Sequence, residues 1–151
     1  MKINRRLLFN VLFPLLLGFL SGYLLKDNYS YLETINRNLK VPSFVFIVVW
    51  TLLYILSGLY QYFYERDFPD DYKNEDVYYF SLLLNILFSP LLFLFHNHVL
   101  AFVDTLLLFV IVVYLFSNAL SKDKKYAYLL LPYVIWLLIA NVLMFDILIS
   151  N

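Results

Sequence analysis

The sequence has no cysteine, two histidines and three glycines among its 151 residues. Without a thiol there is no disulfide, no thiolate nucleophile and no thiolate metal site, and two histidines leave little for a metal centre. Charge is also scarce. Only 15% of residues are Asp, Glu, Lys or Arg, eleven of each sign, so net charge is zero and no basic footprint for nucleic acid exists. A soluble domain needs more polar surface than this. Hydrophobic residues make up 63% of the chain and mean hydropathy is +0.76, so the sequence reads as a membrane protein.

A bilayer core about 30 Å thick requires roughly 20 apolar residues of helix. Uncharged runs occupy 7–25, 41–64, 77–95 and 126–145, and a fifth run, 99–121, is interrupted only by Asp104. These predict one all-α domain, an integral membrane bundle of five transmembrane helices with spans near 7–25, 42–64, 77–95, 98–120 and 126–147. Lys2, Arg5 and Arg6 before the first run resemble the start of a secretory signal, but no A-x-A site follows and the run is long enough to span. The N-terminus, the 65–76 loop and the 122–125 loop carry eight Lys and Arg, against Lys26, Arg37 and Lys40 on the other side. The positive-inside bias therefore predicts a cell-membrane protein with a cytoplasmic N-terminus and an external C-terminus. The acidic stretch "ERDFPDDYKNED" reads as a solvated hinge, "HNH" at 96–98 as a tight exposed turn, and 26–40 as the only substantial lid on its face.

All three glycines fall inside spans. Gly18 and Gly22 form GxxxG, which permits close backbone approach either within one bundle or between two copies in a homodimer. Pro14, Pro90 and Pro132 also lie in spans, where they bend helices. The tyrosines of "YQYFYE" and "VYYF" suit an interfacial belt.

Three groups of residues stand out as candidates for a site. Trp50, Tyr54 and Gly58 share one stripe of the second span, and Tyr133, Trp136 and Ala140 share one of the fifth. Asn85, Phe88 and Ser89 lie together on the third. Periodicity by itself favours ordinary helix packing for the aromatic stripes. Asn85 needs a partner in hydrocarbon, and a hydrogen bond across helices, worth about 1 kcal/mol or less, would supply one. Asp104 would cost roughly 2.5–3.5 kcal/mol at the bilayer centre. It lies about 9 Å of helical rise beyond the turn, so contact with interfacial water, structural anchoring and function all stay open. Asp146 reads as interfacial, and His96 and His98 lack a third ligand, so no metal site is expected.

Four segments resemble the translocator protein family, also called tryptophan-rich sensory proteins or peripheral benzodiazepine receptors. Phe44, Val45, Phe46, Val49, Trp50, Thr51, Tyr54 and Gly58 follow its second-helix pattern, and Leu84, Asn85, Ser89, Pro90 and Phe93 its third. Ala101, Val103, Asp104, Leu106 and Leu107 follow the fourth; Pro132, Tyr133, Trp136, Ala140 and Leu143 follow the fifth. Phe44 and Phe88 replace family tryptophans, Val48 stands where many members have proline, and Met144 replaces a late asparagine.

The resemblance implies a five-helix bundle, often dimeric, that binds porphyrins and related flat hydrophobic ligands in a cavity beneath the first loop. Trp50 and Trp136 fall on positions that the family's bacterial members use around porphyrin. The expected ligand-binding set is Trp50, Tyr54, Asn85, Phe88, Tyr133, Trp136 and Ala140. Porphyrin would be a ligand rather than a required cofactor, and membrane lipid the other partner. The alternatives are a transporter, or light- and oxygen-dependent porphyrin breakdown assisted by Trp50 and Trp136. The sequence contains no nucleophile–base pair to drive catalysis, which favours binding. The sterol-recognition segment of vertebrate members is absent, since no Lys or Arg follows Lys125.

Overall fold

The computed structural model describes residues 5–151. Lys2, counted above for orientation, lies outside them. Five long helices account for the spans: α1 (Arg5–Leu24), α3 (Ser43–Asp67), α4 (Tyr72–Phe93), α5 (His98–Lys122) and α6 (Lys124–Ser150), with a short α2 (Tyr31–Thr34) in the first loop. All five are long and apolar enough to cross a membrane. No strand occurs among the described residues.

Side chains that satisfy the first free N–H groups mark three helix starts. Asp71 accepts from the Asn74 amide to begin α4, Asn97 from Leu100 to begin α5, and Asp123 from Lys125 to begin α6. α4 is followed by a turn that contains a residue with positive φ, His96 at 52°. The Asn97 N–H then reaches back six residues to the Leu91 carbonyl at 3.0 Å, which closes the turn.

The helices form a ring in the order α1, α3, α6, α5, α4, closed by contact between α4 and α1. In lipid there is no hydrophobic drive between helices, so association rests on close packing and hydrogen bonds. α5 shows the packing stripe most clearly: Ala101, Thr105, Leu108, Val112, Leu115 and Ala119 are buried at alternating steps of four and three. The opposite sides stay apolar and exposed, as with Val103, Leu107 and Val110.

The glycines serve contacts inside the chain. A Cβ on Gly58 would collide with the Asn10 carbonyl of α1, and one on Gly18 with the Tyr54 ring of α3. Gly18 is therefore occupied within the bundle. Gly22 has only the Tyr29 hydroxyl near, at 3.5 Å.

The 65–76 stretch is largely exposed, as its acidity suggests, but it is tied into the bundle rather than being a loose hinge. Helix continues to Asp67 and resumes at Tyr72. Asn74 is buried and accepts from the Tyr60 hydroxyl at 2.8 Å, while Tyr64 donates to Asp71 at 2.7 Å. Asn118 of α5 donates to both Tyr64 and Asn74 (2.9 and 3.1 Å). Tyr126 of α6 donates to Asp67. The Tyr64 hydrogen bond holds the Asp71 carboxyl below its ordinary range. Tyr60, Tyr64, Tyr78 and Tyr126 are thus core residues rather than belt residues.

The first loop is tied down at the other end. Tyr31 stacks on His96 with ring centroids 3.8 Å apart, and its hydroxyl lies 2.8 Å from His98 Nε2. The histidines of the "HNH" turn are therefore loop contacts, although His96 is itself exposed. Asp146, expected only to be interfacial, accepts from the backbone of Asn38 and Leu39 (2.7 and 2.9 Å) and from the Asn38 amide. Asn151 exchanges two bonds with the Asn36 backbone.

Because α1 backbone occupies the space where a Gly58 side chain would be, Gly58→Ala should destabilise the bundle by about 1–3 kcal/mol through overpacking. Gly22→Ala should be nearly neutral. Thermal unfolding in one detergent compares the two, and equal losses would contradict the close crossing at Gly58.

Candidate functional site

α3 and α6 face each other through aromatic residues. Trp50 lies edge-on to Tyr133, centroids 6.1 Å apart at 83°, and 5.7 Å from Tyr54 one turn along α3. Phe46 meets Trp136 edge-on at 5.6 Å and 77°. Edge-to-face geometry suits the ring quadrupoles and adds to what burial alone contributes. The i, i+4 spacing of Trp50 and Tyr54, and the i, i+3 spacing of Tyr133 and Trp136, bring the four rings to one place.

Polar atoms are few and specific. Asn85 of α4 donates its amide to the Tyr133 hydroxyl, joining a third helix to the cluster. Tyr54, Tyr78 and Asp104 are further electrostatic neighbours of Tyr133. Among the described residues six buried side-chain atoms have no protein partner, and three of these are on α5 and α6: the Trp136 indole nitrogen, one Asp104 carboxyl oxygen and the Asn141 amide oxygen. An indole N–H donates only, whereas the other two can accept. The locality therefore combines flat apolar walls with unused hydrogen-bonding capacity of both kinds. No group of three or more potential metal ligands occurs among the described residues.

The structure brings together Trp50, Tyr54, Asn85, Tyr133 and Trp136. Ala140 follows Trp136 by one turn and is half-buried. Phe88 belongs elsewhere, packing on a second cluster that contains Ile35, Leu92, Phe93, Ala101, Met144 and Ile147 beneath the first loop. Three residues beyond Asn85, it sits about 4.5 Å further along α4, toward the end on which the first loop packs. Gly58 lies at the α1 crossing rather than on the aromatic wall. Asp104 is only 6% exposed, so burial rather than interfacial water is its environment.

Asn141 escaped the sequence reading. It is buried and donates to the Leu137 and Thr105 carbonyls (2.8 and 3.3 Å). The criterion that singled out Asn85, an amide within an apolar span, applies to it equally.

A closed ring of spans around an aromatic centre, with isolated polar atoms inside, defines a multi-pass α-helical membrane protein with a candidate ligand site between helices. A sequence model of the TspO/MBR family matches residues 10–149. The chain is 35% identical over 111 residues to the tryptophan-rich protein TspO of Archaeoglobus fulgidus, an alignment covering 73% of this chain and 72% of that protein. The chain belongs to the TspO/MBR family.

The bond from Asn85 to Tyr133 should couple α4 to α6. In a double-mutant cycle with Asn85→Leu and Tyr133→Phe, the coupling should be about 0.6–1.7 kcal/mol, the range for such bonds in membrane bundles. Strictly additive losses in unfolding free energy would show that the two side chains act independently.

Proposed function

We propose that this membrane protein binds porphyrins and related flat hydrophobic ligands between α3 and α6, beneath the first loop, as a sensory or translocator-type protein. The observation that carries this reading is that both indoles of the chain sit in the aromatic seam between α3 and α6, Trp50 edge-on to Tyr133 and Trp136 edge-on to Phe46. Apolar rings would cover the faces of a planar ligand, while a few polar atoms would fix its orientation. The unpartnered indole N–H of Trp136 suits an acceptor on the ligand edge, and the Asn85 amide bonded to Tyr133 is a second polar contact. Ala140, the small residue on this stripe, would leave room for the ring system. Phe88, in the neighbouring cluster, would contribute from the side of the first loop.

Ligand access would require the pinned 26–40 segment to move. By the asymmetry of basic residues, that segment is external and the N-terminus cytoplasmic. A Ser30→Cys variant should then react with an impermeant thiol reagent in intact cells, and labelling only after lysis would reverse the orientation. Should two copies associate through α1, Gly18 would not be available to both contacts, because Tyr54 already fills its groove.

The test of the binding proposal is a porphyrin titration in nanodiscs, followed by the porphyrin absorption band and tryptophan quenching. Ala140→Phe should weaken binding at least tenfold, about 1.4 kcal/mol, while leaving thermal unfolding unchanged. A well-folded Ala140→Phe protein with the wild-type Kd would overturn the placement. Light-driven loss of the porphyrin band that needs both indoles would point instead to an enzyme, and ligand flux across sealed vesicles to a transporter.

A further inference from the structure

A surface groove of about 460 Å³ runs along the exposed side of α6, and neither tryptophan is among its lining residues. Its apolar wall comes from Leu138, Ile139, Val142 and Leu143. Its upper rim is Leu39, Lys40 and Val41, the chain leading into α3. Asp146 fixes this rim by accepting from the Asn38 and Leu39 amides. From Leu138 to Asp146 is eight residues, about 12 Å of helical rise. The groove therefore runs from the helix end, where headgroups lie, into the hydrocarbon layer.

Charge identifies an occupant. Lys40 is exposed and makes no hydrogen bond, ion pair or ring contact among the described residues. An ammonium at the mouth of an apolar groove at headgroup depth matches the anionic end of an amphiphile whose tail fills the groove. Asp146, the carboxylate that fixes the rim, is buried and accepts three hydrogen bonds from Asn38 and Leu39. Its oxygens are thereby turned to the loop rather than left open beside Lys40.

We infer that this groove is a phospholipid site: the headgroup phosphate of an anionic phospholipid pairs with Lys40 and one acyl chain lies along Leu138, Ile139, Val142 and Leu143. The occupied site braces the end of the first loop against α6. It does not depend on what the aromatic cluster binds.

Native mass spectrometry of the full chain, released from micelles containing equal amounts of phosphatidylglycerol and phosphatidylcholine, tests this. Wild type should retain one phosphatidylglycerol in preference to phosphatidylcholine. Lys40→Gln should lower that preference about fivefold, the ratio given by about 1 kcal/mol per basic residue near an anionic surface. Lys26→Gln removes a cation of the same loop that lies over the Tyr23 ring instead, 4.8 Å from its centroid, and should leave the preference unchanged. Val142→Trp fills the groove and should abolish retention of either lipid. An undiminished preference in Lys40→Gln, or an equal fall in Lys26→Gln, would overturn the phosphate contact. Full retention in Val142→Trp would overturn the placement of the chain.

Discussion

The constraint on which this bundle depends is the buried polar knot at one end, where Tyr60, Tyr64, Asp71, Asn74 and Asn118 share hydrogen bonds across α3, α4 and α5. Lipid tails are as apolar as leucine, so burying leucine between helices gains little over leaving it in the bilayer. Groups that must be satisfied internally carry more of the specificity. Asn118 reaches both Tyr64 and Asn74, so it cannot keep its bonds if α5 slides against α3 or α4. Tyr126 extends the tie to α6 through Asp67.

At the opposite end, order comes from the loop rather than from the helices. Tyr31 on His96 and His98, Asn38 and Leu39 on Asp146, and Asn36 on Asn151 fasten one segment to the α4–α5 turn and to the last turns of α6. These contacts are exposed or part-buried, where hydrogen bonds open more easily than in a buried network. The aromatic site lies between the two ends. A firm closure on one side and a more easily opened one on the other would suit the ligand entry proposed above.

The replacements relative to the family pattern have a simple geometry. Phe44 and Val48, which stand in for tryptophan and proline, are 66% and 62% exposed on the outer side of α3. Phe46, Val49 and Trp50, on the inner side of the same turns, pack on the core. Lipid accepts any apolar group, so the outer positions are free to drift while the indole at Trp50 stays opposed to Tyr133. Met144 is buried beside Ile147 in the cluster beneath the loop, where a flexible thioether can fill an irregular gap.

The sequence by itself determined the five spans, because length and apolarity are properties of a continuous segment. It also put Trp50 with Tyr54 and Tyr133 with Trp136, since helical spacing fixes a shared face. It could not decide which faces meet. That Trp50 opposes Tyr133 while Phe88 turns to another cluster, that Tyr64 and Tyr78 are core rather than belt, and that Asp146 and the two histidines hold the loop all follow from helix order and crossing. The tertiary structure alone decided these points, because such contacts join residues far apart in the chain, and in an almost uniformly apolar sequence no local pattern distinguishes a helix face that meets protein from one that meets lipid.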